Sequence, residues 1–294
     1  MIDSATESAE SVTCLFAGKQ LLAEGPLYQQ GWLYWVDIKG FALHRLALAT
    51  GEHQQREAPE QITSISPRQA GGFVVTTRTG FGFMDDFAAP LRSLGIVEPA
   101  LPDNRFNDAK VDPFGNLWAG TMDDLEVTPC GSLYRLTSEQ HWQVFDTGYI
   151  VTNGPTFAPD GRRLFHNDSV NKQVFVFDLD ASGISNKRVF AELGADHGHP
   201  DGMTVDAQGC LWICEYAGWG ISRFSPEGEF MSKLALPVAN VTSCTFGGDK
   251  LDTLYITSAA KGLTAAELAE QPLAGSIFSA TVGATGIKGS LFSG

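Results

Sequence analysis

Short apolar runs alternate with polar turns along nearly the whole chain, and one such unit recurs six times. Each copy has a glycine or polar turn, two or three apolar or aromatic residues, and a polar exit. The copies lie at residues 31–34, 71–74, 115–118, 161–165, 209–212 and 252–255. Their starts are 40, 44, 46, 48 and 43 residues apart. A period in this range, with short β-like segments, is typical of a propeller in which each repeat forms one blade.

The fourth repeat shows how one blade divides into strands. Its strand-like segments are residues 154–158, 163–166, 172–177 and 186–190. A third-strand element recurs at the same period, at residues 42–46, 80–83, 131–136, 220–224 and 275–278. These two patterns together predict an all-β, six-bladed β-propeller with four antiparallel strands per blade. A helical pattern near residues 263–270 predicts one short loop helix in the last blade.

The repeat also predicts the domain organisation. Each blade needs its neighbours to bury its faces, so residues 14–294 are expected to form a single domain. Residues 1–13, rich in Ser, Glu and Ala, are expected to form a flexible tail. This polar, acidic start does not resemble a secretory signal. No apolar run reaches the ~18 residues that a membrane-spanning helix needs, so no membrane partner is expected.

The net charge and the cysteine content indicate which partners and which cellular compartment to expect. The formal net charge is −14, from 20 Lys plus Arg and 34 Asp plus Glu, which disfavours nucleic acid as a partner. The five cysteines are an odd number and do not indicate a disulfide framework. We therefore expect a cytoplasmic protein, a monomer or weak dimer, that acts on a small molecule.

Counting back seven to nine residues from each turn gives six equivalent positions at the start of the innermost strands. They are Glu24, Thr63 or Ser64, Asn107, Asn153, Asp201, and Ser243 or Cys244. We call this set the mouth ring, because the innermost strands of a propeller begin at one end of its central channel. Two carboxylates and two carboxamides are unusual at such a position, since unpaired buried charge is costly. A bound cation offsets that cost most simply.

The oxygen ligands Glu24, Asn153 and Asp201 would suit a hard divalent ion such as Ca²⁺, Mg²⁺ or Mn²⁺. Three protein ligands leave positions for water or substrate, as a catalytic metal requires. The alternative is that Asn153 and Asp201 only cap turns. His197 and His199 form a weaker candidate metal pair, and Ser243 lacks the Gly-x-Ser-x-Gly context of a serine nucleophile.

Several segments resemble the regucalcin/gluconolactonase family, also called the senescence marker protein and luciferin-regenerating family. They are residues 24–26, 35–38, 104–108, 110–113, 119–122, 152–154, 200–203, 242–244 and 246–248. The resemblance runs in order from about residue 15 to 290. The chain is especially similar to the bacterial sugar lactonases of the family, such as xylonolactonase and arabinonolactonase.

This resemblance implies a catalytic divalent metal, which in the family is calcium, zinc, manganese or iron. The family's metal ligands fall on Glu24, Asn153 and Asp201, and its proposed general base falls again on Asp201. Its substrate-binding arginine and asparagine fall on Arg105 and Asn107. A further substrate-contacting glutamate of the animal members aligns near Leu125, which is not an acid. Asp123, Asp124 and Glu126 are its neighbours, and the resemblance does not assign that role to any of them.

The resulting hypothesis is metal-dependent hydrolysis of an aldono-1,4- or 1,5-lactone to the aldonic acid. Arg105 would hold substrate hydroxyls or the developing oxyanion, and Asn107 would hydrogen-bond substrate or water. Asp108 would orient its neighbours or simply stabilise a turn. The alternatives are a related propeller esterase or phosphotriesterase and a non-catalytic calcium-binding propeller.

Overall fold

The computed structural model describes residues 11–294, and the first strand of this part is β1 (Val12–Phe16). Blade one contains β2 (Ala23–Gln29), β3 (Trp32–Asp37), β4 (Ala42–Ala47) and β5 (His53–Glu57). Blade two contains β6 (Ile62–Pro67), β7 (Phe73–Thr77), β8 (Phe81–Met84) and β9 (Arg92–Ser93). Blade three contains β10 (Asn104–Val111), β11 (Leu117–Asp123), β12 (Gly131–Leu136) and β13 (Trp142–Tyr149).

Blade four contains β14 (Thr152–Phe157), β15 (Arg163–Asp168), β16 (Gln173–Asp180) and β17 (Gly183–Glu192). Blade five contains β18 (His199–Val205), β19 (Leu211–Tyr216), β20 (Gly220–Phe224) and β21 (Phe230–Ala235). Blade six contains β22 (Val241–Gly247), β23 (Thr253–Ser258), the helix α1 (Ala265–Glu270) and β24 (Ile277–Thr281). The six four-stranded antiparallel blades and the loop helix confirm the predicted fold.

The N-terminal strand closes the propeller. β1 pairs antiparallel with β24 and is the outer strand of blade six, a pairing that the repeat pattern did not predict. It starts at Val12, two residues before the predicted domain boundary, and the rest of the predicted tail lies outside the described residues. Each innermost strand contacts that of the next blade, and β22 contacts β2, so the ring is continuous.

The apolar core is divided among the seams between blades. Six clusters of buried residues are found within residues 11–294, and each joins two adjacent blades. The seam between blades three and four, for example, packs Trp118 and Leu133 against Leu164 and Phe177. Each large apolar side chain buried in this way contributes about 1.5–3 kcal/mol. This packing explains why a single blade is not an independent unit. No helix of the described residues is long and apolar enough to cross a membrane.

In blades three and five, a hydrogen bond between an aspartate and a tryptophan stabilises the turn between the first and second strands. The Trp118 indole N–H donates to Asp112 Oδ2 at 2.7 Å, and that of Trp212 donates to Asp206 Oδ2 at 3.0 Å. In both turns the other carboxylate oxygen accepts two backbone N–H groups. These buried acids are therefore structural, although composition alone does not distinguish them from the acids of the mouth ring.

The burial of His166 on β15 makes the stability of the protein depend on pH, which can be tested. Its ring is fully buried and lies edge-on to Tyr149, with 4.9 Å between ring centroids. Burial lowers the pKa of His166 from 6.5 to about 3. Below pH 6.5 the unfolded chain therefore binds a proton that the folded protein does not, and stability falls as the pH falls.

We expect wild type to lose about 2 kcal/mol more than His166→Leu between pH 6.5 and 5, because one pKa unit corresponds to about 1.4 kcal/mol. Urea unfolding at several pH values measures this difference. His141→Leu, at a side chain that is 81% exposed, is the control. Parallel stability curves for wild type and His166→Leu would show that His166 is not buried in its neutral form.

Candidate active site

Backbone irregularities place the mouth ring. All six innermost strands have one extra residue relative to their partner strand, at the same height in every blade. In β18, for example, Pro200 pairs with Glu215 and Met203 with Ile213, so Asp201 and Gly202 together oppose Cys214. Such bulges redirect side chains and are frequent beside active sites. Six equivalent bulges therefore present the ring residues at one end of the channel.

Glycine is required where two of these bulges meet. A Cβ atom on Gly202 would lie 2.2 Å from the Ser243 hydroxyl oxygen and 2.9 Å from the Ser243 Cα atom. Strand β18 can thus approach β22 closely only because residue 202 has no side chain. The Gly202 N–H in turn donates to Asp201 Oδ1 at 2.9 Å, which holds that carboxylate in place.

The predicted site residues are brought together at this mouth, and all are buried. Glu24, Asn107, Asn153 and Asp201 are 3–6% exposed. Asn107 Nδ2 donates to Asn153 Oδ1 at 3.0 Å, and Asn153 Nδ2 donates to Ser169 Oγ at 2.8 Å. The Ser169 hydroxyl then donates to the Pro200 carbonyl at 2.6 Å, next to Asp201. A continuous chain of hydrogen bonds therefore joins blades three, four and five.

Three carboxyl groups at the mouth lack a basic partner. None of Glu24, Asp108 and Asp201 forms an ion pair with a Lys or Arg within residues 11–294. Burial, followed by repulsion from Asp201 and Asp108, raises the pKa of Glu24 well above its usual value. Burial, followed by repulsion from Asp108, does the same to the pKa of Asp201. Burial raises the pKa of Asp108 to about 6, although Lys110 opposes the change.

This donor set fits a divalent cation. A +2 charge would offset the repulsion between the carboxylates, and oxygen ligands suit a hard ion. In the part of the chain that the structure describes, no three His, Cys, Asp or Glu side chains form a metal-binding group by themselves. A site at the mouth would therefore need the amide oxygen of Asn153 together with the carboxylates of Glu24 and Asp201.

Hydrogen bonds to Asp124 and to Asn107 fix the orientation of the Arg105 side chain. It is 3% exposed, its Nε donates to Asp124 Oδ1 at 2.6 Å, and its Nη1 donates to Asn107 Oδ1 at 2.6 Å. Lys39 and Arg78 also contact Asp124, at 2.7 and 3.1 Å. The pKa of Asp124 falls well below its usual range, because hydrogen bonds and charges from Lys39 and Arg105 outweigh the opposing effect of its burial.

Sequence reasoning did not find Lys110, and it named Asp124 only as a neighbour of Leu125 without assigning it a role. Asp124 lies beside the position where the family's glutamate was expected, and three bases from different blades converge on it. Extending the count to the ends of the second strands would place Lys39, Arg78 and Asp124 on mouth loops. Lys110 Nζ donates to the Met203 carbonyl at 2.8 Å, and burial lowers the pKa of Lys110.

Asp108 and the two histidines have separate roles. Asp108 Oδ1 accepts the Ala109 N–H at 2.9 Å, and Asp108 also lines a cavity of about 740 Å³ in the channel.

His197 contacts Glu215 at 2.8 Å, whereas His199 contacts the Ser169 carbonyl oxygen at 2.9 Å. The two imidazoles therefore have different partners.

The fold and the mouth define a six-bladed β-propeller with a buried acid and amide site. The model of the family described as SMP-30/Gluconolactonase/LRE-like region matches residues 22–260, and the chain belongs to this family. It is 34% identical to a 6-deoxy-6-sulfogluconolactonase of Pseudomonas putida, with 97% of this chain and 99% of that protein covered. It is 35% identical to regucalcin of Danio rerio, with 96% and 97% covered. A calcium-binding regucalcin structure from Agrobacterium tumefaciens superposes with a TM-score of 0.91 at 25% identity, covering 95% and 96%.

Proposed function

We propose that this protein is a metal-dependent hydrolase that opens an aldono-1,4- or 1,5-lactone to the aldonic acid. Its gluconolactonase-family relatives suggest lactone hydrolysis. The observation that carries the metal dependence is the group of buried, mutually repelling carboxyl groups beside Arg105. The name of the Pseudomonas putida relative favours a six-carbon lactone among the candidates.

Glu24, Asn153 and Asp201 would hold the ion, which we expect to be Ca²⁺, Mg²⁺, Mn²⁺, Zn²⁺ or Fe²⁺. A bound divalent ion supplies Lewis acidity that polarises an ester carbonyl and makes water more acidic. Asp201 would accept the proton of the attacking water as general base. Its Oδ1 already accepts the Gly202 N–H, so Oδ2 is the better-placed proton acceptor.

Arg105 would bind the lactone. Its Nε and Nη1 are used by protein acceptors, whereas its Nη2 makes no hydrogen bond within residues 11–294. This N–H group can donate to a ring hydroxyl or to the oxyanion that develops as water adds. Both N–H groups of Asn107 are used, toward Thr152 and Asn153, so Asn107 contributes an acceptor lone pair and fixes Arg105.

Asp108 completes the proposed site without touching the substrate. Its carboxyl group lies in the field of Asp201 and Lys110, and its hydrogen bond to Ala109 fixes the bulge of β10. We assign it a positioning role beside Asp201. A cytoplasmic setting also belongs to the proposal and is supported by five free cysteines. The monomeric or weakly dimeric state stays a prediction.

A pH-stat assay tests the proposed function. Apoprotein is reconstituted separately with Fe²⁺, Zn²⁺, Mn²⁺, Mg²⁺ or Ca²⁺ and given a panel of pentono- and hexonolactones, with spontaneous opening subtracted. We expect ion-dependent turnover of at least one lactone, at least 100-fold above the apoprotein. Simple esters and phosphotriesters are the comparison substrates, and faster turnover of these would favour the esterase alternative.

The name of the Agrobacterium tumefaciens structure favours one further candidate, a calcium-binding protein without turnover. Calorimetric titration of the apoprotein with Ca²⁺, carried out beside the lactone assay, separates the two functions. Tight Ca²⁺ binding without hydrolysis of any lactone would favour the binding protein.

A further inference from the structure

Several basic side chains lie at the mouth of a protein whose net charge is strongly negative. Each loop that follows the second strand of a blade lies on the mouth side, where the innermost strands begin. We call six charged residues at this end, five from four of these loops together with Arg105 of β10, the mouth cluster: Lys39, Arg78, Arg105, Asp124, Glu126 and Lys261. Lys172, Glu267 and Glu270 lie on the same set of loops but do not belong to it. Four basic and two acidic side chains leave two positive charges, in a chain whose net charge is −14.

Lys261 is held in place more firmly than an ordinary surface lysine. Its N–H donates to the Leu21 carbonyl at 2.8 Å. Its carbonyl accepts the Tyr216 hydroxyl at 2.6 Å and Asn240 Nδ2 at 2.9 Å. The side chain is 32% exposed, so a fixed backbone presents a cation to the open end of the site.

The charge of Lys261 reaches the reacting groups. Lys261 favours the ionised form of Asp201, and Glu126 opposes it, so both side chains lie within electrostatic range of that carboxylate. On the other side of the mouth, Arg105 favours the ionised form of Glu24. Lys261 and Glu126 also come from opposite blades, six and three, so their ion pair crosses the mouth and a lactone bound at the ring would extend toward it.

The partner of Lys261 is a carboxylate that can be displaced. Lys261 Nζ forms an ion pair with Glu126 from blade three, across the mouth, and the Glu126 side chain is 42% exposed. Exposed ion pairs of this kind contribute little to stability. Glu126 also has a φ of 61°, in the left-handed region that is unfavourable for residues other than glycine. Its neighbours Leu125 and Val127 are 72% exposed, so the loop packs weakly against the propeller.

We infer that Lys261 forms a subsite for an anionic substituent of the lactone, remote from the ester. The Glu126 carboxylate occupies this subsite in the absence of substrate, and a phosphate or sulfonate at the far end of the sugar replaces it. Charge-assisted hydrogen bonds to such a group are among the stronger polar contacts. This inference rests on the proposed lactonase function and adds the class of its substrate.

The test compares glucono-1,5-lactone with 6-phosphoglucono-1,5-lactone on the metal-loaded enzyme. We expect Lys261→Gln to lower the ratio of kcat/KM for the phosphorylated to the neutral lactone by about tenfold or more, as for loss of one charged hydrogen bond. Lys261→Arg should retain most of the ratio. Lys250→Gln is the matched control, an exposed lysine in the turn after β22 at the opposite end of the channel. Taking the ratio cancels any effect of Lys261 on Asp201.

For Glu126→Gln we expect the opposite change in the ratio of kcat/KM for the phosphorylated to the neutral lactone. Removal of the competing carboxylate should raise the same ratio about threefold or more, and 0.5 M salt should reduce the preference for the phosphorylated lactone in wild type. A 6-deoxy-6-sulfo lactone distinguishes a general anion subsite from one that is selective for phosphate.

The outcomes separate the subsite from the proposed function. Hydrolysis of both lactones with an unchanged ratio in Lys261→Gln overturns the subsite and leaves the lactonase intact. If neither lactone is hydrolysed, the lactonase proposal fails, and calorimetric binding of 6-phosphogluconate and gluconate decides about the subsite. Binding of 6-phosphogluconate at least tenfold tighter than gluconate, lost in Lys261→Gln, supports it, whereas equal binding overturns it.

Discussion

Asp201→Asn is expected to lower kcat/KM for an aldonolactone by about 10³-fold, because loss of a general base typically costs 10²–10⁴-fold. The substitution keeps the side-chain shape but removes both the proton acceptor and one anionic ligand. It also removes a buried charge that repels Asp108 and Glu24, so stability in the presence of EDTA should be retained or increased. Initial rates at saturating metal, together with thermal unfolding, measure the two effects.

Asp160→Asn is the control for this substitution. Asp160 is exposed in the turn between β14 and β15, at the far end of the channel from the ring. Its replacement should change neither rate nor stability appreciably. Near-normal lactonase rates in Asp201→Asn, with bound metal confirmed, would remove Asp201 from its proposed role.

The mouth ring was predictable because a propeller converts sequence period into spatial position. Glu24, Asn107, Asn153 and Asp201 lie within one residue of equivalent points of four repeats, and the structure brings them to one end of the channel. Asn107 and Asp201 lie in the bulge of their strand, whereas Glu24 and Asn153 immediately precede it. The prediction needed only the turn of each blade as a marker. It did not foresee the six bulges, since an extra residue in one strand becomes apparent only against its partner strand.

Contacts outside the repeat could not be found in this way. The pairing of β1 with β24 joins segments from opposite ends of the chain, and it has no counterpart in the other blades. Asp124 likewise attracts Lys39, Arg78 and Arg105 from three blades, through loops of unequal length. Loops differ in length because they lie outside the packed seams, so the period no longer specifies their geometry. Substrate choice is the property that depends most on them.

The acids of the chain illustrate the same limit. Asp112, Asp206 and Glu215 are as deeply buried as Glu24 and Asp201. They are, however, surrounded by donors: an indole and backbone N–H groups for Asp112, and Lys233 and His197 for Glu215. Sequence position identified which acids share a height in the channel. Only the three-dimensional partners show which of them lack compensation, and it is that lack which indicates a cation.

The expected effect of removing the ion follows from this uncompensated charge. In the presence of EDTA at pH 7.5, Glu24→Gln should unfold at a higher temperature than wild type, because one buried, repelled carboxylate is gone. Added Ca²⁺ or Mn²⁺ at about 100 times its Kd should stabilise wild type by about 2.7 kcal/mol. In a chain of this size that corresponds to a rise in Tm of roughly 4 °C. Glu24→Gln should show little rise and lose at least ~100-fold in turnover, since it lacks a ligand.

The order of the two proteins should therefore reverse when the ion is added. Differential scanning calorimetry with and without ions measures the reversal independently of any substrate. Glu139→Gln, at a side chain that is 80% exposed, is the control and should follow wild type in both conditions. If wild type were the more stable protein in EDTA, and neither protein responded to ions, the buried carboxyl groups would be neutral acids. The proposed metal dependence would then be wrong, because the charge that attracts a cation would be absent.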